Sequence, residues 1–215
     1  MNTLIVLCLF VIGGYAQLGF PSSTGPQIAS IHNKARMNFA NGGRYIQGVK
    51  MPSAKNMLKM FWDSTLAYSA QNYADTCPTS KSGATGYGEN IFNKFTTSPA
   101  TYLDGYATDA PYKWDEQLSD FGLSSLTMDA TILASGVADA TQMYWAKTKY
   151  VGCGVKNCGP DPSQANKTRI VVVCHYTPKG NVIGEVMYEQ GLTCTNCPSP
   201  TLCESDMGFS TGLCV

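Results

Sequence analysis

From Ile170 to Cys174 every side chain is apolar, with Val171, Val172 and Val173 between them. A β-branched run without polar alternation predicts a strand covered on both faces. It ends at Pro178-Lys179-Gly180-Asn181, where proline cannot join a ladder and Gly-Asn accepts positive φ. Further strands are predicted over 150–155 and 181–189. Cys153 falls inside the 150–155 strand and Cys174 inside the valine-rich one, so these two strands can be stapled together and are read as the centre of the core. Helical spacing takes over elsewhere. Ile28, Ile31, Ala35 and Phe39 make one apolar face over 26–40, with Thr24 to cap it and Asn41-Gly42-Gly43 to end it. Asp63 caps a second helix whose face is Leu66, Ala70, Tyr73 and Cys77. Trp62 is placed to staple its entry, and Ala67 and Ala74 allow a close approach to a sheet. Trp114, Leu118 and Phe121 predict a third helix, capped by Asp109, with Pro111 in its first turn and Gly122 at its end. A short helix is expected over 139–147. The stretches 48–60, 79–87, 123–136 and 156–167 read as loops or irregular chain.

The two ends differ from this middle. Leu4 to Ile12 is apolar and runs into Gly13-Gly14-Tyr15-Ala16, the pattern of a signal peptide over 1–16 cut after Ala16. The expected location is therefore secreted and extracellular. The apolar run is short for a bilayer span and no second candidate follows, so no integral membrane association is expected. Losing Cys8 leaves eight of nine cysteines. An even count in a secreted chain implies disulfides, with about 105 connectivities open to sequence reasoning. Cys194-x-x-Cys197 has zinc-ligand spacing, but the oxidising route favours disulfides there too. Residues 17–190 form one domain. Residues 191–215 have little apolar content and four cysteines, so cross-links must replace a core.

Charge narrows the partners. Fifteen basic and fifteen acidic residues cancel, and no basic run occurs, which argues against nucleic acid and polybasic lipid anchoring. Candidate chemistry is sparse, because the chain has two histidines, His32 and His175. His32 lies one position off its helix stripe and reads as structural. Glu89 precedes an apolar pair and reads as partly buried. Tyr102, Tyr106, Tyr112 and Trp114 form an aromatic patch of the kind that lines a sterol or other lipid pocket. Asn166-Lys167-Thr168 is a glycosylation sequon in a polar loop.

Four fragments, in order, resemble one superfamily. His32-Asn33-Lys34-Ala35-Arg36 is similar to its HNxxR element, and Gly88-Glu89-Asn90-Ile91-Phe92 to its GENI element. Thr141-Gln142-Met143-Tyr144-Trp145-Ala146-Lys147-Thr148 resembles its first signature, and Val172-Val173-Cys174-His175-Tyr176-Thr177-Pro178-Lys179-Gly180-Asn181 its second. This is the CAP superfamily of cysteine-rich secretory, antigen 5 and pathogenesis-related proteins, also called SCP/TAPS. The tail resembles that of nematode activation-associated secreted, venom-allergen-like proteins. The resemblance implies an α+β fold, a three-layer α-β-α sandwich with a central antiparallel sheet and a small cysteine-rich extension. It implies disulfides Cys153–Cys174, Cys77–Cys158, Cys194–Cys203 and Cys197–Cys214.

Many members of the superfamily carry a cleft with two histidines and two glutamates that can bind zinc. By position those places hold Lys81, Glu89, Gln117 and Asp139, so one of the four ligands, Glu89, survives. An ammonium has no lone pair for a metal. The expectation is no metal, no cofactor and no catalysis, with Lys81, Glu89 and Asp139 joined in an ion-pair network. A metal-dependent hydrolase is correspondingly disfavoured. Two functions remain: binding a sterol or fatty acid, and acting as an interaction or immunomodulatory ligand on an extracellular or host protein.

Overall fold

The computed structural model describes residues 24–98, 100 and 102–215; the expected signal peptide lies outside them. The chain runs through α1 (Thr24–Ala40), a small hairpin of β1 (Tyr45–Ile46) and β2 (Val49–Lys50), β3 (Phe61–Trp62) and α2 (Ser64–Ala74). Then come β4 (Gly88–Thr96), α3 (Asp104–Phe121), α4 (Ala130–Ala134) and α5 (Ala138–Met143). The remainder is β5 (Tyr150–Asp161), β6 (Lys167–Thr177) and a tail hairpin of β7 (Cys203–Asp206) and β8 (Phe209–Cys214).

The apolar run sits in β6, which pairs antiparallel with β5 on one side and β4 on the other, in the order β3-β5-β6-β4. Only the two-residue β3 joins parallel, along β5. Alternate side chains of a strand leave opposite faces. Val171 and Val173 therefore meet Ala70 and Ala74 of α2, while Ile170, Val172, Cys174 and Tyr176 meet Ile28, Ala110, Trp114 and Met143. The result is α2, sheet, and then α1, α3 and α5: an α+β sandwich in which no β6 position between Ile170 and Tyr176 reaches solvent. A further cluster under α1 gathers Phe39, Met57, Leu118, Met128, Tyr144, Trp145, Tyr188 and Leu213.

The α2 layer is unusually close. A Cβ on Gly152 would fall within 3.0 Å of Ala67 and Asp63 backbone, and one on Gly154 within 3.0 Å of Gln71 backbone. Helix backbone thus lies directly on strand backbone. The Gln71 amide bonds both the N–H and the C=O of Val155, at 3.0 Å each, as a neighbouring strand would. On the opposite side Arg36 is fully buried without a carboxylate. Its guanidinium donates to the carbonyls of Leu58, Met143, Trp145, Ala146 and Thr148 at 2.6–3.3 Å. Among the described residues four disulfides close the chain: Cys77–Cys158, Cys153–Cys174, Cys194–Cys203 and Cys197–Cys214.

Several local expectations are corrected. The third helix starts at Asp104, not Asp109, and carries Pro111 inside it; burial of Ala107, Ala110 and Pro111 outweighs the proline penalty. Phe121 is 58% exposed, its ring lying over Gly136 instead of in the core. The buried face of α2 is Ala67, Ala70, Gln71 and Ala74, with Leu66 and Tyr73 only half-buried. Trp62 covers Gly25 of α1. No strand forms over 181–189. Its backbone is bonded instead by neighbouring loops, as in Met128 N–H to Glu185 O and Ala146 N–H to Met187 O. The expected loop over 156–167 is mostly strand, bulged between Asn157 and Pro160.

Gly154→Ala is expected to lower unfolding free energy by about 1–3 kcal/mol in urea titration, because neither backbone can retreat. Gly86→Ala, where a Cβ meets nothing within 4 Å, should leave it unchanged.

Candidate functional site

The start of β4 carries two polar clusters, one on each side of the sheet. Register places Glu89 opposite His175 and Asn90 opposite Cys174. On the α2 face, Glu89 Oε2 lies 3.0 Å from His175 Nε2. Ser82 donates to the same carboxylate through its N–H at 2.5 Å and its hydroxyl at 2.8 Å. His175 Nδ1 lies 3.1 Å from Ser69 Oγ, and Tyr87 stacks on the imidazole at 3.9 Å. Burial pushes the Glu89 carboxyl up, but the hydrogen bonds from His175 and Ser82 together outweigh it and hold the pKa below the usual value.

On the other face, Lys81 Nζ sits 2.6 Å from Asp139 Oδ1. Gln117 donates to Asp139 Oδ2 at 3.0 Å and accepts from the N–H groups of Asp139 and Ala140 at 3.1 Å. Asn90 donates to Asp139 O at 2.9 Å and to Tyr176 Oη at 3.2 Å. Beyond lies His32, 2.9 Å from Tyr176 Oη and 2.8 Å from Ile28 O. A carbonyl only accepts, so Nδ1 carries the proton and Nε2 accepts from the tyrosine hydroxyl. Burial lowers the His32 pKa to about 4, which keeps this ring neutral.

The structure thus brings Lys81, Gln117 and Asp139 together and sends Glu89 elsewhere. The single network expected of Lys81, Glu89 and Asp139 is corrected to two, because strand alternation points Glu89 to the α2 side, where His175 faces it. His175 was missed as a site residue. The signal was available: antiparallel pairing of the GENI stretch with the Val-Val-Cys-His-Tyr stretch sets these two side by side. Glu89, His175 and Ser69 stand in the acid–imidazole–hydroxyl order of acyl-transfer enzymes. Ser69, however, lies in the interior of α2, where backbone N–H groups are used by the helix and cannot hold an oxyanion. His175 is completely buried beneath Tyr87.

The aromatic candidates do not converge on one pocket. Trp114 is 1% exposed and donates to Ile91 O at 3.3 Å, and Tyr106 packs against the same core. Tyr102 and Tyr112 are 84% and 54% exposed. A groove of about 700 Å³ lies elsewhere, between α1, β3 and the tail hairpin, lined by Met37, Met60, Trp62 and Leu213 with Lys34 and Glu204. Lys59 and Glu204 form an ion pair at its side. Cys194 and Cys197 are both disulfide-bonded, so neither is available to zinc. Asn166 is exposed with φ of 57°, between β5 and β6.

The family model described as "Cysteine-rich secretory protein family", CAP, matches residues 29–176, which hold both clusters. The chain belongs to the CAP family. It is 32% identical over 213 residues to cysteine-rich secretory protein 3 of Equus caballus, covering 94% of this chain and 74% of the horse protein. It is 33% identical over 187 residues to venom allergen 5 of Lycosa singoriensis, covering 82% of this chain but 46% of the spider protein. Among solved structures, BmVAL-1 superposes with a TM-score of 0.80 at 26% identity, over 93% of this chain and 97% of that one. NaASP2 with Zn2+ gives 0.74 at 27% identity, over 92% and 97%. No helix among the described residues of this CAP protein is long and apolar enough to cross a membrane.

The buried neutral His32 gives a signed pH dependence. Unfolded, the ring takes up a proton near 6.5; folded, only near 4. The unfolded chain binds the proton first, so stability is full above pH 6.5 and falls as pH drops toward 4, by about 2–3 kcal/mol. Urea midpoints across that window should show the loss, and His32→Gln should flatten it.

Proposed function

We propose that this CAP protein works outside the cell by binding, without catalysis. The observation that carries the reading is the state of the two clusters. Lys81 neutralises Asp139, Gln117 satisfies its backbone and carboxylate, and Glu89 is occupied by His175 and Ser82. General-base and metal-ligand roles need a free lone pair facing the reactant. Here Glu89 accepts from Ser82 and His175, and Asp139 Oδ2 accepts from Gln117. Asp139 Oδ1 is paired with the Lys81 ammonium without a hydrogen bond, and that ammonium stands where a ligand would be required. The donor set does not suit the zinc with which NaASP2 was solved.

The ligand class we favour is apolar, a sterol or a fatty acid. The groove between α1 and the tail hairpin supports this reading better than the Tyr102–Trp114 stretch, whose indole is spent on the core. Its apolar wall is Met37, Met60, Phe61, Trp62 and Leu213, side chains that adapt to irregular hydrocarbon. Lys34, Lys59, Glu204 and Asp206 also line it, so a ligand with a polar end would suit it. A second reading, an interaction or immunomodulatory ligand for an extracellular or host protein, draws on the hairpin tip, where Met207 and Phe209 are 91% and 79% exposed. Secretion after loss of residues 1–16 and a glycan on Asn166 belong to either reading.

Titration with radiolabelled cholesterol and palmitate is expected to show saturable binding of one of them. Ser30→Trp, which fills the groove from an exposed position of α1, should weaken it roughly tenfold or more, and Tyr112→Ala should not. Absence of saturable binding to both would leave the protein-partner reading. Separately, mature protein dialysed after zinc loading should retain well under one equivalent by elemental analysis, whereas stoichiometric retention would overturn the account of the clusters.

A further inference from the structure

The tail brings two disulfides into one another's reach. The sulfurs of Cys194, Cys197 and Cys214 all lie within 4.8 Å of each other, although they belong to two different bonds. The fourth partner, Cys203, is the direct cross-strand neighbour of Cys214 in the β7–β8 ladder. Leu202 and Val215 exchange both backbone hydrogen bonds, at 2.8 and 2.9 Å. The next pair inward, Cys203 and Cys214, is therefore a non-hydrogen-bonded pair, the kind in which opposite residues approach most closely, about 4.5 Å between Cα atoms. That separation is within the span a disulfide bridges. Two complete pairings consequently fit the same four residues: the observed one, and Cys194–Cys197 with Cys203–Cys214.

We propose that this quartet is a thiol–disulfide exchange site whose reactant is a low-molecular-weight thiol, and that exchange releases the hairpin from its covalent straps. The steps balance without an oxidant. An external thiolate attacks Sγ of Cys203, which is exposed, and forms a mixed disulfide. The Cys194–Cys203 bond breaks and its electron pair leaves on Cys194 as thiolate. Cys194 then attacks Sγ of Cys197, and the Cys197–Cys214 bond breaks with its pair on Cys214. Cys214 finally attacks Sγ of Cys203 across the ladder and expels the external thiolate. Two disulfides enter and two leave, and the thiol is returned.

The consequence lies in the fold. In the observed pairing both strands of the hairpin are tied to the 192–197 segment. In the second pairing the hairpin is bonded only to itself, and residues 194–197 close a separate small loop. The hairpin contributes Glu204, Asp206, Thr211 and Leu213 to the groove on α1. Thiol exposure therefore governs whether that wall is strapped or loose. The other two disulfides are outside this chemistry: Cys153 and Cys174 are wholly buried, and Cys77–Cys158 lies beside α2.

The test is disulfide mapping of the folded, full mature protein after incubation in a glutathione redox buffer and acid quenching. Cleavage after Leu202 and Phe209 separates the cysteines. In the observed pairing, the fragment holding Cys194 and Cys197 is linked to both others. The expected new product is that fragment alone, together with a linked pair holding Cys203 and Cys214. Persistence of the observed pairing alone, or scrambling that draws in Cys77, Cys153, Cys158 or Cys174, would overturn the proposal. Cys194→Ser gives an independent reading. Its single free thiol should distribute between Cys203 and Cys197 on alkylation with N-ethylmaleimide, and label confined to Cys203 would count against exchange.

Discussion

A buried cation held only by peptide carbonyls organises this molecule. Arg36 gives up water and receives no carboxylate in return, so the five carbonyls around it must be present and aimed inward together. Burial draws its pKa down to about 9, still well above neutrality, so the charge stays and the cage must form. The cage joins α1 to Leu58, just ahead of β3, and to 143–148, the turn between α5 and β5. Asn33 adds a reciprocal pair, donating to Met60 O and accepting from Met60 N–H at 2.8 Å each. Gln142 reaches Gly180 N–H at 2.8 Å and Thr148 Oγ1 at 3.1 Å. The four sequence motifs are thus parts of one polar frame that fixes the turns around the sheet, which explains why residues so far apart in the chain go together.

The sheet then separates two chemistries that sequence places side by side. Glu89 and Asn90 are neighbours, yet one faces His175 and α2 while the other faces Asp139 and Tyr176. Each cluster is closed upon itself. The hydrogen-bond direction runs without choice from Asn90 to Tyr176 to His32 to Ile28, because a carbonyl ends the chain. Most members are hydrogen-bonded, although Asn90 Oδ1 has no hydrogen-bond partner and Asp139 Oδ1 has only the Lys81 ammonium beside it. The network braces β4, an edge strand, against both helix layers.

Much of this was legible beforehand. The valine run announced a strand covered on both faces, and the alanines of α2 announced close packing, though Gly152 and Gly154, which complete it from the sheet side, carry no periodicity to reveal them. The substitutions at Lys81, Gln117 and Asp139 were readable by position. What sequence could not supply was the face each residue takes. Glu89 and Asp139 share a cleft by position, yet register sets Glu89 opposite His175. Trp114 takes the buried face that its stripe with Leu118 predicts, while Tyr102 and Tyr112 face solvent and share no pocket with it. The 181–189 stretch has strand composition, but its N–H and C=O groups find partners in loops, a tertiary outcome that local propensity does not encode.

The contact between α2 and β5 has a further meaning for how this protein can respond to anything it meets. Where main chain rests on main chain through glycine, no side chain can rotate to make room, and that layer behaves as a rigid plate. The opposite side is filled with long, soft residues such as Met37 and Met60, flanked by a hairpin held mainly at its base. The two faces of the sheet therefore differ in packing: main chain set on main chain under α2, and flexible side chains around α1 that leave room for rearrangement.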